Sequence, residues 1–314
     1  MSTALLYDPK FLEHKTPDNH PESSDRLIAL MKHLKALEWY GDLALLDARD
    51  ATEEDLLRVH TIEYVQRVAK ACEANEAFVD TPEVGICPES YAVALRAVGA
   101  SLALADAVMS KKSKNGFAAL RPPGHHAEKD KAMGFCLFNN IAITAEYIKK
   151  KYGLERILIF DWDVHHGNGT QHIFESDPSV FYVSMHQSSL YPGTGLLTET
   201  GMGAGKGMTL NCPVPSGAGD LQYKMFYRND MQAKLEAYKP QCILISAGFD
   251  AHAMDPLATM NLTVDSFGWL TQQICELAQQ SCDGKVISLL EGGYDLTALP
   301  LCVAKHLEVL KSFS

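Results

Sequence analysis

The sequence predicts an α/β fold, a mainly parallel β-sheet flanked by helices in a single domain spanning residues 1–314. Two observations predict it. From about residue 117 the chain alternates short apolar runs with amphipathic segments, the pattern of strands and helices wound into a parallel sheet. Polar and charged residues gather at the ends of those runs, and open parallel sheets carry their ligand and catalytic groups beyond the carboxyl ends of the strands.

In chain order, helix candidates cover about 25–38, 61–74 and 89–109. Strand candidates follow at Phe117–Leu120, Arg156–Phe160, Val180–Met185, Met208–Leu210, Cys242–Ser246 and Val286–Leu290. Phe267, Leu270, Ile274, Leu277 and Ala278 share one helical face, as do Val303, Leu307 and Leu310. The one long irregular stretch, Gly193–Gly207, holds six glycines. It lacks the G-K-[ST] ending of a phosphate loop and reads as a loop near the site.

Composition narrows the function. Hydrophobic residues make up 46% and charged residues 21%, as in ordinary globular proteins. A net charge of −11 argues against a nucleic-acid surface, which needs Lys and Arg to neutralise phosphates. Basic peptides or amines suit it better. The eight cysteines include no C-x-x-C pair, which fits a reduced, cytoplasmic setting. No run of about 18 apolar residues suggests a membrane span.

Asp161-Trp-Asp163-Val-His165 alternates polar with apolar residues, so an extended backbone would project all three polar groups to one side. Asp163 and His165 can supply an oxygen and an imidazole to a metal, and Asp250, at the end of another apolar run, can supply a third ligand. Three protein ligands plus water make an open catalytic site. A lone D-x-H triplet more often caps a strand end, but here further histidines gather at neighbouring ends. Ligand type leaves zinc as the default metal and iron as the rival. A two-metal site would want extra carboxylates where Gly167 and His252 stand.

Acid and base groups come from two other strand ends. Arg121-Pro-Pro-Gly-His125-His126 sets adjacent histidines on a rigid turn. Asp161 and Asn168 could each hold one imidazole N–H. Glu291-Gly-Gly-Tyr294 could lift a phenol toward an oxyanion. Gly134-Phe135 and Tyr191-Pro-Gly193 each set an aromatic near a glycine, suited to the walls around a slender apolar chain.

Taken together, R-P-P-G-H-H at 121, G-F-C-L-F-N-N at 134, D-W-D-V-H-H-G-N-G at 161, P-G-T-G at 192, G-F-D-A-H at 248 and E-G-G-Y at 291 resemble the zinc-dependent histone deacetylase family, most closely its class II branch and bacterial members. The resemblance implies the arginase-deacetylase fold and one zinc ion on Asp163, His165 and Asp250. It implies His126 as general base, His125 paired with Asp161, Tyr294 polarising the scissile carbonyl, and Gly134, Phe135 and Tyr191 lining an acyl-lysine tunnel. It also implies a structural potassium ion near Asp161, Ser184 and the backbone carbonyls of Asp163, His165 and Met185. Asn168 stands where class I members carry Asp, and Ser24 replaces a proline of the family's N-terminal motif.

The expected reaction is hydrolysis of the acetyl amide on an acetyl-lysine side chain. Leu257 falls at the tunnel mouth, where polyamine-selective relatives carry Glu, which favours acetyl-lysine peptides over small acetylated amines; Asp18, Glu83 and Glu89 are other candidate anions at the entrance. The alternatives are an acetylpolyamine amidohydrolase, a binuclear ureohydrolase and a non-catalytic acetyl-lysine binder. A homo-oligomer is left open.

Overall fold

The computed structural model describes residues 2–314. Eight strands form one sheet: β1 (Thr3–Leu6), β2 (Ala44–Leu46), β3 (Asn115–Ala118), β4 (Ile157–Asp161), β5 (Val180–Gln187), β6 (Thr209–Val214), β7 (Cys242–Ala247) and β8 (Val286–Leu290). All neighbours are parallel, in the order β2-β1-β3-β8-β7-β4-β5-β6. Every residue of β1, β3, β4, β5, β7 and β8 is buried, so both faces of the sheet are covered. This is why those strands read as continuous apolar runs rather than alternating ones.

The six strand candidates and the three N-terminal helix candidates all form, with shifted ends. β3 begins at Asn115 because Asn115 and Gly116 pair with Thr3 and Ala4 of β1. β1 and β2 themselves were not expected: four and three residues long, they carry too little pattern to register, and β1 adds to the free edge of β3 while β2 adds to that of β1. The two predicted helix faces are buried where helices Val264–Cys282 and Ala298–Ser312 pack on each other.

Helix Ser90–Met109 is long and apolar enough to cross a membrane by length and composition, yet 67% of its most apolar window is buried in this protein's own interior. It packs against helix Asn140–Tyr152 and β3. All eight cysteines are unpaired.

The connectivity places the site. From β4 the chain continues on one side to β5 and β6, whereas from β7 it continues on the other side to β8. The winding therefore reverses between β4 and β7, and a crevice opens at their carboxyl ends.

Candidate active site

β4 ends at Asp161, so Asp163 and His165 lie in a turn beyond the strand rather than in an extended segment. Side chains keep the alternation. The N–H of Asp163 donates to Asp161 Oδ1 at 3.2 Å, and the N–H of His165 donates to Asp163 Oδ1 at 2.9 Å. Each carboxylate thus holds the backbone two residues on, and Trp162 and Val164 are buried between them.

Asp250 arrives from the end of β7. Ligand atoms of Asp163, His165 and Asp250 lie within 4.8 Å of one another, and all three residues are buried. His165 Nδ1 faces both carboxylates, 3.1 Å from Asp163 Oδ1 and 3.2 Å from Asp250 Oδ2. Burial first, and then the charge of Asp163, pushes the Asp250 carboxyl up to about 7. Two buried carboxylates this close resist joint ionisation unless a cation lies between them. The donor set of two oxygens and one imidazole nitrogen suits a divalent metal such as zinc. His252 is outside this cluster; it is partly exposed, and its Nδ1 accepts the N–H of Met254.

The turn after β3 brings His125 and His126 over the cluster, with ring centroids 4.0 Å apart. His125 Nδ1 donates to Asp161 Oδ2 at 3.0 Å. Burial works against its charge, but Asp161, Asp163 and Glu291 outweigh it and hold His125 up at about 10. His126 Nδ1 donates to Asn168 Oδ1 at 2.8 Å. With burial and two neighbouring histidines, its pKa falls well below the ordinary value. The adjacent imidazoles are therefore pulled apart, His125 toward its charged form and His126 toward its neutral one. The register of the sheet also sets Asp161 beside Ser184.

Gly134 has a φ of +52°, and a Cβ there would stand 2.3 Å from the His126 ring. A side chain would displace that imidazole. Gly292 is equally confined, since its Cβ would meet Asp250 Oδ2 at 2.1 Å. Its N–H instead donates to Asp163 Oδ2 at 2.8 Å.

These parts meet in a cavity of about 460 Å³ lined by Glu83, His126, Gly134, Phe135, His165, Leu190, Tyr191, Leu257 and Tyr294. The Phe135 ring stands edge-on to Tyr294 at 5.9 Å, and Tyr191 lies 5.1 Å from His126. Burial raises the Tyr294 phenol well above its ordinary value, so it remains a donor. Leu257 is among the lining residues. Of the three candidate entrance anions only Glu83 lines the cavity, where it accepts a hydrogen bond from the Tyr191 hydroxyl at 3.3 Å. The Gly193–Gly207 stretch reaches the site only through its approach at Leu190 and Tyr191; Gly201 and Gly205 pack on the backbone near Glu175.

The histone deacetylase domain, as a family model, matches residues 20–310. The chain belongs to the histone deacetylase family. It is 39% identical over 303 residues to a probable deacetylase of Archaeoglobus fulgidus, covering 96% of this chain and 84% of the relative. It is 37% identical over 294 residues to the histone deacetylase-like amidohydrolase of Pseudomonas aeruginosa, covering 93% and 77%. The solved structure of the HDA15 HD domain superposes with a TM-score of 0.93 at 37% identity, over 99% of this chain and 88% of that one. The protein is therefore a deacetylase hydrolase of a zinc-dependent family.

Sequence reasoning missed the supports of this deacetylase site. Glu22 is fully buried and receives the guanidinium groups of Arg121, through Nε and Nη2, and of Arg26, at 3.1 Å. Arg26 then reaches across 267 residues of sequence to the Gly293 carbonyl at 2.7 Å, and its guanidinium carbon sits 4.9 Å from the Tyr294 ring centroid. Glu291 accepts the N–H groups of Gly124 and His125, linking the histidine turn to β8. Glu22, Arg121 and Glu291 stand inside the motifs that carry the resemblance, but no role could be read for them there, and Arg26 lies in none of those motifs.

Burial alone would raise the Glu22 carboxyl, but Arg121 and Arg26 hold it at about 2, below its ordinary 4.5. The folded pKa is depressed, so this contribution to stability is full above pH 4.5 and is lost as the pH falls toward 2. Glu22→Gln leaves two guanidinium groups without their counter-charge and is expected to cost about 3–5 kcal/mol at neutral pH. In urea titrations the gap between wild type and variant should narrow through that acidic window. A gap that stays constant would show that charge is not its origin.

Proposed function

We propose that this deacetylase removes the acetyl group from acetyl-lysine side chains of proteins and peptides, in preference to acetylated polyamines, at one zinc ion held by Asp163, His165 and Asp250. The observation that carries the reading is the cavity of about 460 Å³, which brings His126, His165 and Tyr294 together with the apolar and aromatic side chains of Phe135, Leu190, Tyr191 and Leu257. When bound, zinc supplies Lewis-acid polarisation of the acetyl carbonyl and lowers the pKa of water.

The chain's own groups do the rest. Asn168 accepts the Nδ1 proton of His126, which leaves Nε2 as the base that takes a proton from the attacking water. The Tyr294 hydroxyl donates to the oxyanion that develops on the acetyl oxygen. His125, charged through Asp161, supplies positive potential beside that oxygen. An imidazole of the pair then protonates the leaving nitrogen, releasing acetate and the free amine. Phe135 and Tyr191 shield the lysine stem from water, and Gly134 lets it pass close to His126. A potassium ion near Asp161, Ser184 and the carbonyls of Asp163, His165 and Met185 belongs to the same reading, as does a cytoplasmic location suited to eight unpaired cysteines.

Leu257 decides the substrate class. A distant ammonium needs a counter-charge at the mouth, whereas the neutral stem and backbone of an acyl-lysine pack on an apolar wall. Glu83 is the one carboxylate among the lining residues, and it is already engaged by Tyr191. We therefore expect a higher kcat/KM for acetyl-lysine peptides than for acetylspermidine, and Leu257→Glu should shift preference toward the polyamine. A wild-type enzyme favouring the polyamine by about tenfold, or about 1.4 kcal/mol, would overturn the assignment. Loss of that preference in Glu83→Gln would then make Glu83 the selecting group.

A further inference from the structure

Tyr294 stands on a turn that cannot hold it by itself. Gly292 and Gly293 precede it; Gly292 is tied by its N–H to Asp163 Oδ2 and by its carbonyl to the Phe249 N–H, whereas Gly293, with a φ of +115°, is the free joint before the tyrosine. Something outside the turn has to set where the phenol points. On one side Arg26 bonds the Gly293 carbonyl and lies over the Tyr294 ring. On the other stands Asp255, a residue the reaction itself does not use.

Asp255 is only 7% exposed. Its Oδ2 accepts the Tyr294 N–H at 2.7 Å, and its Oδ1 accepts the Leu257 N–H at 3.0 Å. Burial raises its carboxyl above the ordinary value, and what works against that rise is backbone N–H groups, those of Leu257, Tyr294 and Asp295, rather than a cation. The bond to Leu257, two residues on, is a common local turn. The bond to Tyr294 spans 39 residues and joins the loop after β7 to the loop after β8. Both tethered residues line the catalytic cavity.

We propose that Asp255 is a positioning residue that sets the Tyr294 hydroxyl against the scissile carbonyl and at the same time holds Leu257 at the mouth, so that turnover and substrate selection depend on one strut. The inference rests on the role given to Tyr294 above. Its chemistry is specific to a carboxylate: both oxygens must accept, because both partners are N–H donors. Asn offers one oxygen and turns an amide NH₂ toward the other N–H, which breaks one bond and sets two donors face to face.

The test is a double-mutant cycle on the zinc-loaded full chain, using wild type, Asp255→Asn, Tyr294→Phe and the double variant. Each is assayed with an acetyl-lysine peptide and with acetylspermidine, and zinc per chain is measured. Misplacement of a catalytic group by about 1 Å costs up to about 100-fold, so Asp255→Asn should lower kcat on the peptide by about 10- to 100-fold. KM should move little and zinc content should not change. In the Tyr294→Phe background the same substitution should cost no more than about twofold, which is the scatter within which independent mutations add; the much larger loss in wild type would then be the coupling between the two residues. The ratio of kcat/KM between the two substrates should also move, because Leu257 is released. Should the Asn variant fail to fold, Asp255→Ala, which removes both acceptors and adds no donor, supports the same cycle. Equal losses in both backgrounds, or loss of zinc, would overturn the positioning role alone. A Tyr294→Phe enzyme with unchanged kcat would overturn the reading of Tyr294 and this inference with it.

Discussion

Asp250→Ala is expected to abolish both zinc binding and turnover, and Asp163→Ala and His165→Ala should do the same. The cluster offers three donors within 4.8 Å of one another, and an open catalytic site has no spare ligand to replace a lost one. Asp250 has a second task, since its Oδ1 accepts the Val164 N–H at 2.9 Å and so ties the β4 turn to the end of β7. The fold should nevertheless survive. Asp250 is pushed up to about 7 by burial and by Asp163, so removing it also relieves a repulsion. The discriminating measurement is thermal: zinc should raise the Tm of the wild type as a ligand that binds only the folded state does, and should leave the Tm of Asp250→Ala unchanged. Full zinc occupancy in that variant would show a wrong ligand set. Two ions per wild-type chain would replace the mononuclear account by a binuclear one.

Tyr294→Phe should lower kcat by about 100- to 1000-fold, the usual cost of one oxyanion donor, with KM nearly unchanged. In the proposed mechanism the hydroxyl acts on charge that develops only in the transition state, so its loss should spare ground-state binding. Phe keeps the ring that packs on Phe135 and under Arg26, so geometry and zinc content should hold. His126→Ala should be nearly inactive with zinc retained. His125→Ala should keep more residual activity, because that ring is charged and held by Asp161 and contributes potential rather than a lone pair. Equal losses for the two histidines would remove the distinction drawn between them.

How much of this was legible before the fold was known differs from residue to residue. Asp161, Asp163 and His165 could be read because their geometry is local: the Asp161 and Asp163 carboxylates each hold the backbone two residues further along. The sheet needed only apolar runs of strand length, and all six expected strands formed. β1 and β2 were silent because strands of four and three residues owe their existence to a neighbour's free edge. Glu83 could be named as an entrance anion, but its place on the cavity wall beside Tyr191 depends on how two distant loops meet.

The sequence alone determined the α/β class, six of the eight strands in their order along the chain and the candidate reactive groups, since these follow from periodicity and from residues adjacent in the chain. Only the tertiary structure decided which strands are neighbours, where the winding reverses between β4 and β7, and what holds the reactive groups in place. Glu22 meets Arg121 across 99 residues, Arg26 meets Gly293 across 267, and Asp255 meets Tyr294 across 39. Such pairings leave no local signature, because a buried charge finds its partner only when the whole sheet has brought the two strand ends together.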